Sequence, residues 1–387
     1  MPRSRIVADW ESRVIGHFPG LPAPTARALA LAGLALALAG LGMAAAKSGR
    51  LNAVLLALAG LTGSAFNALR QRLRGFYKDA DFDVTVCFAP LLRWATAGAD
   101  RRVVLALDPT NLGDRFTVLT VSVVFRSCAV PVAWAVLRGD RTGSWNAHWE
   151  RLLKKLRPAF GEGWTVLALT DRGLESKTLF DAIVAAGCHP LMRVKKAGHF
   201  RPAGWHKGWP MGRFAESAGS AWSGRGVAWP TGSKLGATLL ARRDNGHADA
   251  WLILTDLGPA DADAGWYAFR AWIEHGFRDL KSDGWELSGT RMTDPDRVSR
   301  WWAAAALATL WALEAGQQAE RLEVPATRTH AGAGGAAVTS LFALGLAWLA
   351  RQIGRGRLRQ VKPLVMPTWP RTTKPSVVLD ERVWLAA

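Results

Sequence analysis

At 387 residues the chain is long enough for one large domain or two to three ordinary ones, so a sizeable core is available. Lys and Arg outnumber Asp and Glu by 49 to 31, a formal charge of +18, while 49% hydrophobic residues exclude a disordered basic tail. A folded cation of this size concentrates polyanions around itself, which puts nucleic acid first among partners and an anionic membrane surface second.

Three cysteines, Cys87, Cys128 and Cys188, match no zinc or redox spacing and exclude a disulfide scaffold. The opening MPRSRIVADWESR carries acidic residues and no early apolar core, so a reducing cytosol is expected. Ala28 to Ala46 is an apolar run of membrane-spanning length. It consists of alanine, glycine, leucine and one methionine, with no aromatic residue at its borders, and reads as a helix of an Ala-rich bundle packed against Leu51 to Leu61. The segment AFNALRQRLRGFYKD follows, with Leu69, Leu73 and Phe76 on one side and Arg70, Arg72 and Arg74 free to meet solvent or DNA phosphates.

From Arg101 the pattern changes to strands: RRVVLALDPTN, then RFTVLTVSVVF, rich in β-branched residues, then CAVPVAWAVL. A helix (WNAHWERLLKKLRPAF), a strand (WTVLALTDRG), a helix (SKTLFDAIVAAG) and a strand (HPLMRVKK) come next. A meander followed by alternating helices and strands predicts a mixed α/β sheet. Residues 197–258 are rich in Gly, Pro and Trp and read as short strands of an inserted β subdomain. Helical character returns in GWYAFRAWIEHGFRDLKSDGWE and SRWWAAAALATLWALEAGQQAERL, and the chain ends in a turn-rich segment, a short apolar run and a basic tail.

Two carboxylates sit where strands are expected to end, Asp108 in VLALDPTN and Asp171 in VLALTDRG. Taken singly, each also suits a turn. The third element is Tyr267, Arg270, Glu274 and Lys281, spaced Y-x2-R-x3-E-x6-K. On a continuous α-helix, offsets of 3, 7 and 14 residues at about 100° each bring all four side chains within about 60° of one another. Such a face offers one carboxylate to a metal and cations to phosphates; it also suits a solvated charged face in which Glu274 pairs with Arg270 or Arg278.

The ordered set of LALDPTN, LALTDRG and the Y-x2-R-x3-E-x6-K helix resembles the DDE transposases of bacterial insertion sequences that bear the Y-R-E-K signature. The resemblance runs from about Ala28 to about Arg321. It implies an α/β architecture: an RNase H-like catalytic domain with an inserted β subdomain, preceded by a helical N-terminal domain. The division expected is 1–85 helical and DNA-binding, 86–196 and 259–321 catalytic core, 197–258 insertion, and 322–387 a C-terminal helical region with the basic tail.

It further implies that Asp108, Asp171 and Glu274 are catalytic and hold two Mg²⁺ ions, with Mn²⁺ as substitute. Hard oxygen ligands without a His or Cys cluster agree with those metals. Three clustered carboxylates should push at least one of them to titrate upward when no metal is bound. Arg270 and Lys281 would contact phosphates, and Tyr267 the element-end DNA. Asp256, in LILTDLG, is the competing choice for the second aspartate; Asp171 is preferred because a helix follows it.

The activity implied is cleavage of the ends of an insertion sequence and their joining to target DNA. Partners would be double-stranded DNA, as terminal inverted repeats and target, and a second copy of the chain in the synaptic complex. Location would be the bacterial cytoplasm at the nucleoid, without stable membrane association. Trp205, Trp209, Trp222 and Trp229 could stack on a displaced base or fill the core of the insertion. The alternatives are a catalytically inactive relative that regulates by binding DNA, and a membrane-associated protein.

Overall fold

Runs of β-branched residues form a meander at one side of the sheet: β1 (Arg102–Leu112), β2 (Phe116–Phe125) and β3 (Cys128–Arg138). These belong to a computed structural model that describes residues 5–18, 51–63, 65–78, 82–140, 143–287, 291–322, 340–355 and 361–366, together with 23, 26, 27 and 369. The apolar run Ala28 to Ala46 and most of the basic tail lie outside the described residues. Among the described residues no helix is long and apolar enough to cross a membrane.

The β2–β3 hairpin turns on Arg126 (φ 41°) and Ser127 (φ 64°), a two-residue turn of positive φ that glycine would enter without strain. Arg126 compensates through a bidentate pair with Glu320 at 2.7 and 2.8 Å, and the Ser127 carbonyl lies 3.0 Å from His275 Nδ1.

Helix α5 (Asn146–Leu156) carries the chain to β4 (Thr165–Thr170), and α6 (Lys177–Ala185) carries it on to β5 (His189–Arg193). Both strands run parallel to β1, as crossovers through helices require. The segment expected as an insertion supplies β6 (His199–Pro202), β7 (Trp209–Pro210), β8 (Ala221–Ala228), β9 (Leu235–Arg242) and β10 (Trp251–Thr255). These strands continue the same sheet, because β10 pairs antiparallel with β5; the order is β3-β2-β1-β4-β5-β10-β9-β8-β6-β7. β2 pairs antiparallel with β1, so the sheet is mixed, as its alternation of elements predicts.

The remaining helices pack on the meander or on one another. They are α1 (Arg5–His17), α2 (Leu51–Thr62), α3 (Phe66–Lys78), α4 (Phe88–Ala95), α7 (Trp272–Arg278), α8 (Pro295–Arg321) and α9 (Leu341–Gly354). Helix α8 opens on an Asp294 cap and Pro295, then is buried on nearly every side from Arg300 to Gln317. Its alanines permit this: small side chains let neighbours approach on all faces. At the α8–α9 crossing a Cβ on Gly316 would strike the Leu341 carbonyl, and one on Gly345 the Ala312 carbonyl. Trp10 of α1 stacks on Trp311 of α8 at 4.2 Å. Helix α3 buries Leu69, Leu73 and Phe76, as its period predicts, and also Tyr77, whose carbonyl accepts a 2.9 Å bond from the buried Arg300. Arg74 on the opposite face is exposed.

Candidate active site

Register brings the two aspartates together. The parallel β1–β4 ladder ends with Leu107 opposite Thr170, so the next residues, Asp108 and Asp171, stand side by side. Asp108 does not end its strand, contrary to the expectation from VLALDPTN. β1 runs on through Pro109 to Leu112, paired with β2. β4 has stopped by then, so β1 has one neighbour there and tolerates a residue without an N–H.

Asp256 is placed elsewhere. β10 is antiparallel to β5, so its C-terminal end meets the start of β5, where Asp256 Oδ2 lies 3.0 Å from His189 Nδ1. That is the opposite edge of the sheet from Asp171.

The third element differs in form from a continuous α-helix. Ala264–Ala271 is a 3₁₀ helix, α7 follows with Glu274, and Asp279–Asp283 is a π turn containing Lys281. Residues three apart eclipse in a 3₁₀ helix, so Tyr267 and Arg270 share a face, and one α turn then sets Glu274 over Arg270. Arg270 Nη2 lies 2.8 Å from Asp108 Oδ1 and 4.0 Å from Asp171 Oδ2, and Nη1 lies 3.1 Å from Glu274 Oε1. One guanidinium thus faces all three carboxylates. The side chains of Arg270 and Asp108 are 14% and 10% exposed, those of Asp171 and Glu274 43% and 57%, so the cluster is closed below and open to solvent above.

Burial is the main force on Asp108. It pushes the carboxyl up to about 6; Arg270 opposes the rise, and Glu274 and Asp171 add to it as like charges. One member of the cluster is thus raised, with burial as the main cause and the gathered carboxylates as a smaller one.

Tyr267 is a buried residue. It is 4% exposed, its hydroxyl donates to the Thr170 carbonyl at 3.1 Å, and its ring meets Trp251 edge-on at 5.7 Å. The side chain ties the helix to the residue before Asp171. Lys281 is half-buried, with Nζ 5.8 Å from the Phe277 ring centroid.

Of the tryptophans of residues 197–258, Trp222 is buried between Phe200 and Phe214 and fills the core. Trp205, Trp209 and Trp229 are half-buried, with Arg213 4.9 Å over the Trp209 ring.

With this geometry in place, the comparison with family models is decisive: the Transposase DDE domain matches residues 113–311, just over half of the chain. The chain belongs to the DDE transposases. The mixed sheet is consistent with the RNase H-like domain of that family, and membership implies a part in DNA transposition and in DNA binding. The matched segment contains Asp171, Tyr267, Arg270, Glu274 and Lys281 and begins just after Asp108, whose place in the site rests on the register and on its pair with Arg270. No curated protein matches the transposase in sequence.

The family typically uses divalent metals. Among the described residues no three acidic, His or Cys side chains stand close enough together to hold an ion. The donor chemistry nevertheless suits one: Asp108, Asp171 and Glu274 are hard carboxylates, and all three face one cation, the Arg270 guanidinium. Closing them on a metal requires Arg270 to turn away.

Thr120 carries no motif, and only register reveals it. It pairs with Asp108 across β1 and β2, and its hydroxyl is buried with no hydrogen-bond partner. The sequence signal is faint: Thr120 and Ser122 are the polar residues of the mostly apolar stretch VLTVSVVF.

Proposed function

We propose that this transposase cleaves the ends of an insertion sequence and joins them to target DNA, with Asp108, Asp171 and Glu274 as its catalytic carboxylates. The observation that carries the reading is their common approach to Arg270 from a strand interior, a strand end and a helix far apart in sequence. Mg²⁺ ions held by the three carboxylates, two in number and replaceable by Mn²⁺, would supply an activated water or 3′-hydroxyl and a stabilised leaving oxygen for phosphodiester hydrolysis and transesterification.

The chain's own residues do the rest. Asp108 anchors the buried side of the cluster, and Asp171 and Glu274 face the open side where a DNA backbone can approach. Arg270 leaves the carboxylates and places its planar donors on a phosphate beside the scissile bond. Lys281 adds a second cation toward the same backbone. Arg74 and Lys78, exposed on α3, extend the phosphate contacts away from the reaction centre.

The finer assignments belong to the same proposal. They are the Y-R-E-K signature at Tyr267, Arg270, Glu274 and Lys281, the insertion at 197–258 within a core of 86–196 and 259–321, and the flanking regions 1–85 and 322–387. Two element ends must be held together for transposition, so the working form is a homodimer on DNA at the nucleoid.

The test is nicking of DNA that carries the gene's flanking inverted repeats, with Mg²⁺. Loss of several kcal/mol of transition-state stabilisation, at about 1.4 kcal/mol per factor of ten, should slow Asp108→Ala, Asp171→Ala and Glu274→Ala each by about a thousandfold. Specific binding to the same ends should persist. Wild-type nicking by any of the three would remove that residue from the catalytic set, and wild-type end binding and strand transfer by Lys281→Ala would return Lys281 to the protein surface.

A further inference from the structure

β2 is a largely apolar strand, rich in valine and buried along nearly its whole length, and Thr120 lies at its centre with no exposed surface. Its hydroxyl has no hydrogen-bond partner. A buried hydroxyl left unpaired costs stability, and valine would fill the same space without that cost. The sequence keeps threonine all the same.

The ladder shows what the hydroxyl can reach. Thr120 pairs with Asp108 on β1 and with Trp134 on β3, and paired residues of antiparallel strands project to one face with Cβ atoms about 4.5–5.5 Å apart. The Trp134 indole N–H is already donated to Ser299, at 3.0 Å to Oγ and 3.1 Å to the carbonyl, and an indole offers no acceptor. Asp108 is therefore the polar side chain across the ladder that can accept from Thr120. In the present state Arg270 holds Asp108 through Oδ1 at 2.8 Å, and the Thr120 hydroxyl bonds to neither carboxylate oxygen.

We propose that Thr120 is a positioning residue for Asp108: when Arg270 turns away, the Thr120 hydroxyl donates to the freed carboxylate and fixes its orientation toward a divalent cation. The unpaired hydroxyl belongs to the Arg270-bound state, and its partner appears when the cluster is loaded. Groups that orient a metal-binding carboxylate from behind commonly change metal affinity by about 10–100-fold when removed. The inference rests on the reading of Asp108 as a ligand.

The experiment titrates the full-length protein, without DNA, with Mn²⁺ followed by electron paramagnetic resonance, and separately melts it in EDTA. Thr120→Val should weaken Mn²⁺ binding by about tenfold. Its melting temperature in EDTA should stay the same or rise by about 2 °C, because an unpaired buried hydroxyl is gone. Thr120→Ser, which keeps the hydroxyl, should bind Mn²⁺ within about twofold of wild type, on the same physical ground. Wild-type Mn²⁺ affinity in Thr120→Val, with binding lost in Asp108→Asn, would overturn the role of Thr120 alone. A lower melting temperature accompanying the weaker affinity would overturn it too, in favour of packing. Wild-type affinity in Asp108→Asn would instead sink the reading of Asp108 beneath it.

Discussion

Arg13 and Arg270 both reach carboxylates that burial has pushed toward neutrality, and the two assemblies end in different states of balance. Glu314, fully buried in α8, accepts from Arg13 Nη2 on Oε2 at 2.7 Å and from Trp94 Nε1 on Oε1 at 3.0 Å. Trp94 is itself covered by His17, stacked at 4.2 Å. One cation meets one anion, and both carboxylate oxygens are bonded. At the other site one guanidinium faces three carboxylates, and its Nε is buried without a partner. The first assembly is complete and holds α1 on the core. The second is short of positive charge and half open to solvent, an imbalance that the proposed cation would relieve.

The comparison breaks most easily at Arg13. Burial pushes Glu314 up to about 7 from an ordinary 4.5, with Arg13 and Trp94 opposing. A carboxyl raised in the folded state contributes stability at low pH that is lost as pH rises through its folded value, so at pH 8 the ionised Glu314 depends on Arg13. Arg13→Met should therefore cost about 3 kcal/mol at pH 8, the usual penalty for stranding a buried charge. At about pH 5.5, between the ordinary and the folded value, Glu314 is protonated and the cost should shrink to less than half. Urea unfolding at the two pH values measures both; an equal loss at each would show that Arg13 acts through its packing over Trp94 instead.

Arg270→Gln tests the other side. Removing the one cation among three carboxylates should destabilise the metal-free protein by about 1–2 kcal/mol, less than at Arg13 because Asp171 and Glu274 reach solvent. Mn²⁺ should recover that loss and bind more tightly than to wild type, since no guanidinium competes for the oxygens. Melting curves in EDTA and in Mn²⁺ decide the matter. An equal shift with Mn²⁺ in both proteins would mean that Arg270 does not stand where the cation binds.

The contrast also marks how far these two regions are legible in the amino-acid order. Strand runs such as RFTVLTVSVVF and the period of Leu69, Leu73 and Phe76 declare the meander and the inward face of α3, because both are set by local burial. The Y-x2-R-x3-E-x6-K spacing is visible, yet its backbone is not: a 3₁₀ turn, an α turn and a π turn follow one another, and the local sequence does not distinguish them. Asp108 looks like the start of a turn because proline follows it, and remains in a strand because β2 continues beside it. Asp171 and Asp256 close near-identical motifs, and only the antiparallel setting of β10 separates them. The Arg13–Glu314 pair and the Thr120–Asp108 register join residues far apart or unmarked by any pattern, so they exist only once the chain has folded.

Tyr267 supplies the smallest test and the sharpest one for where the scaffold stops and the site begins. Its hydroxyl holds the Thr170 carbonyl next to Asp171, and its ring, met edge-on by Trp251, is buried. Tyr267→Phe keeps the ring and deletes the bond, so the protein should lose about 1 kcal/mol of stability. Affinity for element-end DNA should not change, because the hydroxyl is spent inside the protein. A drop of tenfold or more in end binding, with stability intact, would mean that Tyr267 leaves its pocket to meet DNA and belongs with Arg270 among the groups that move.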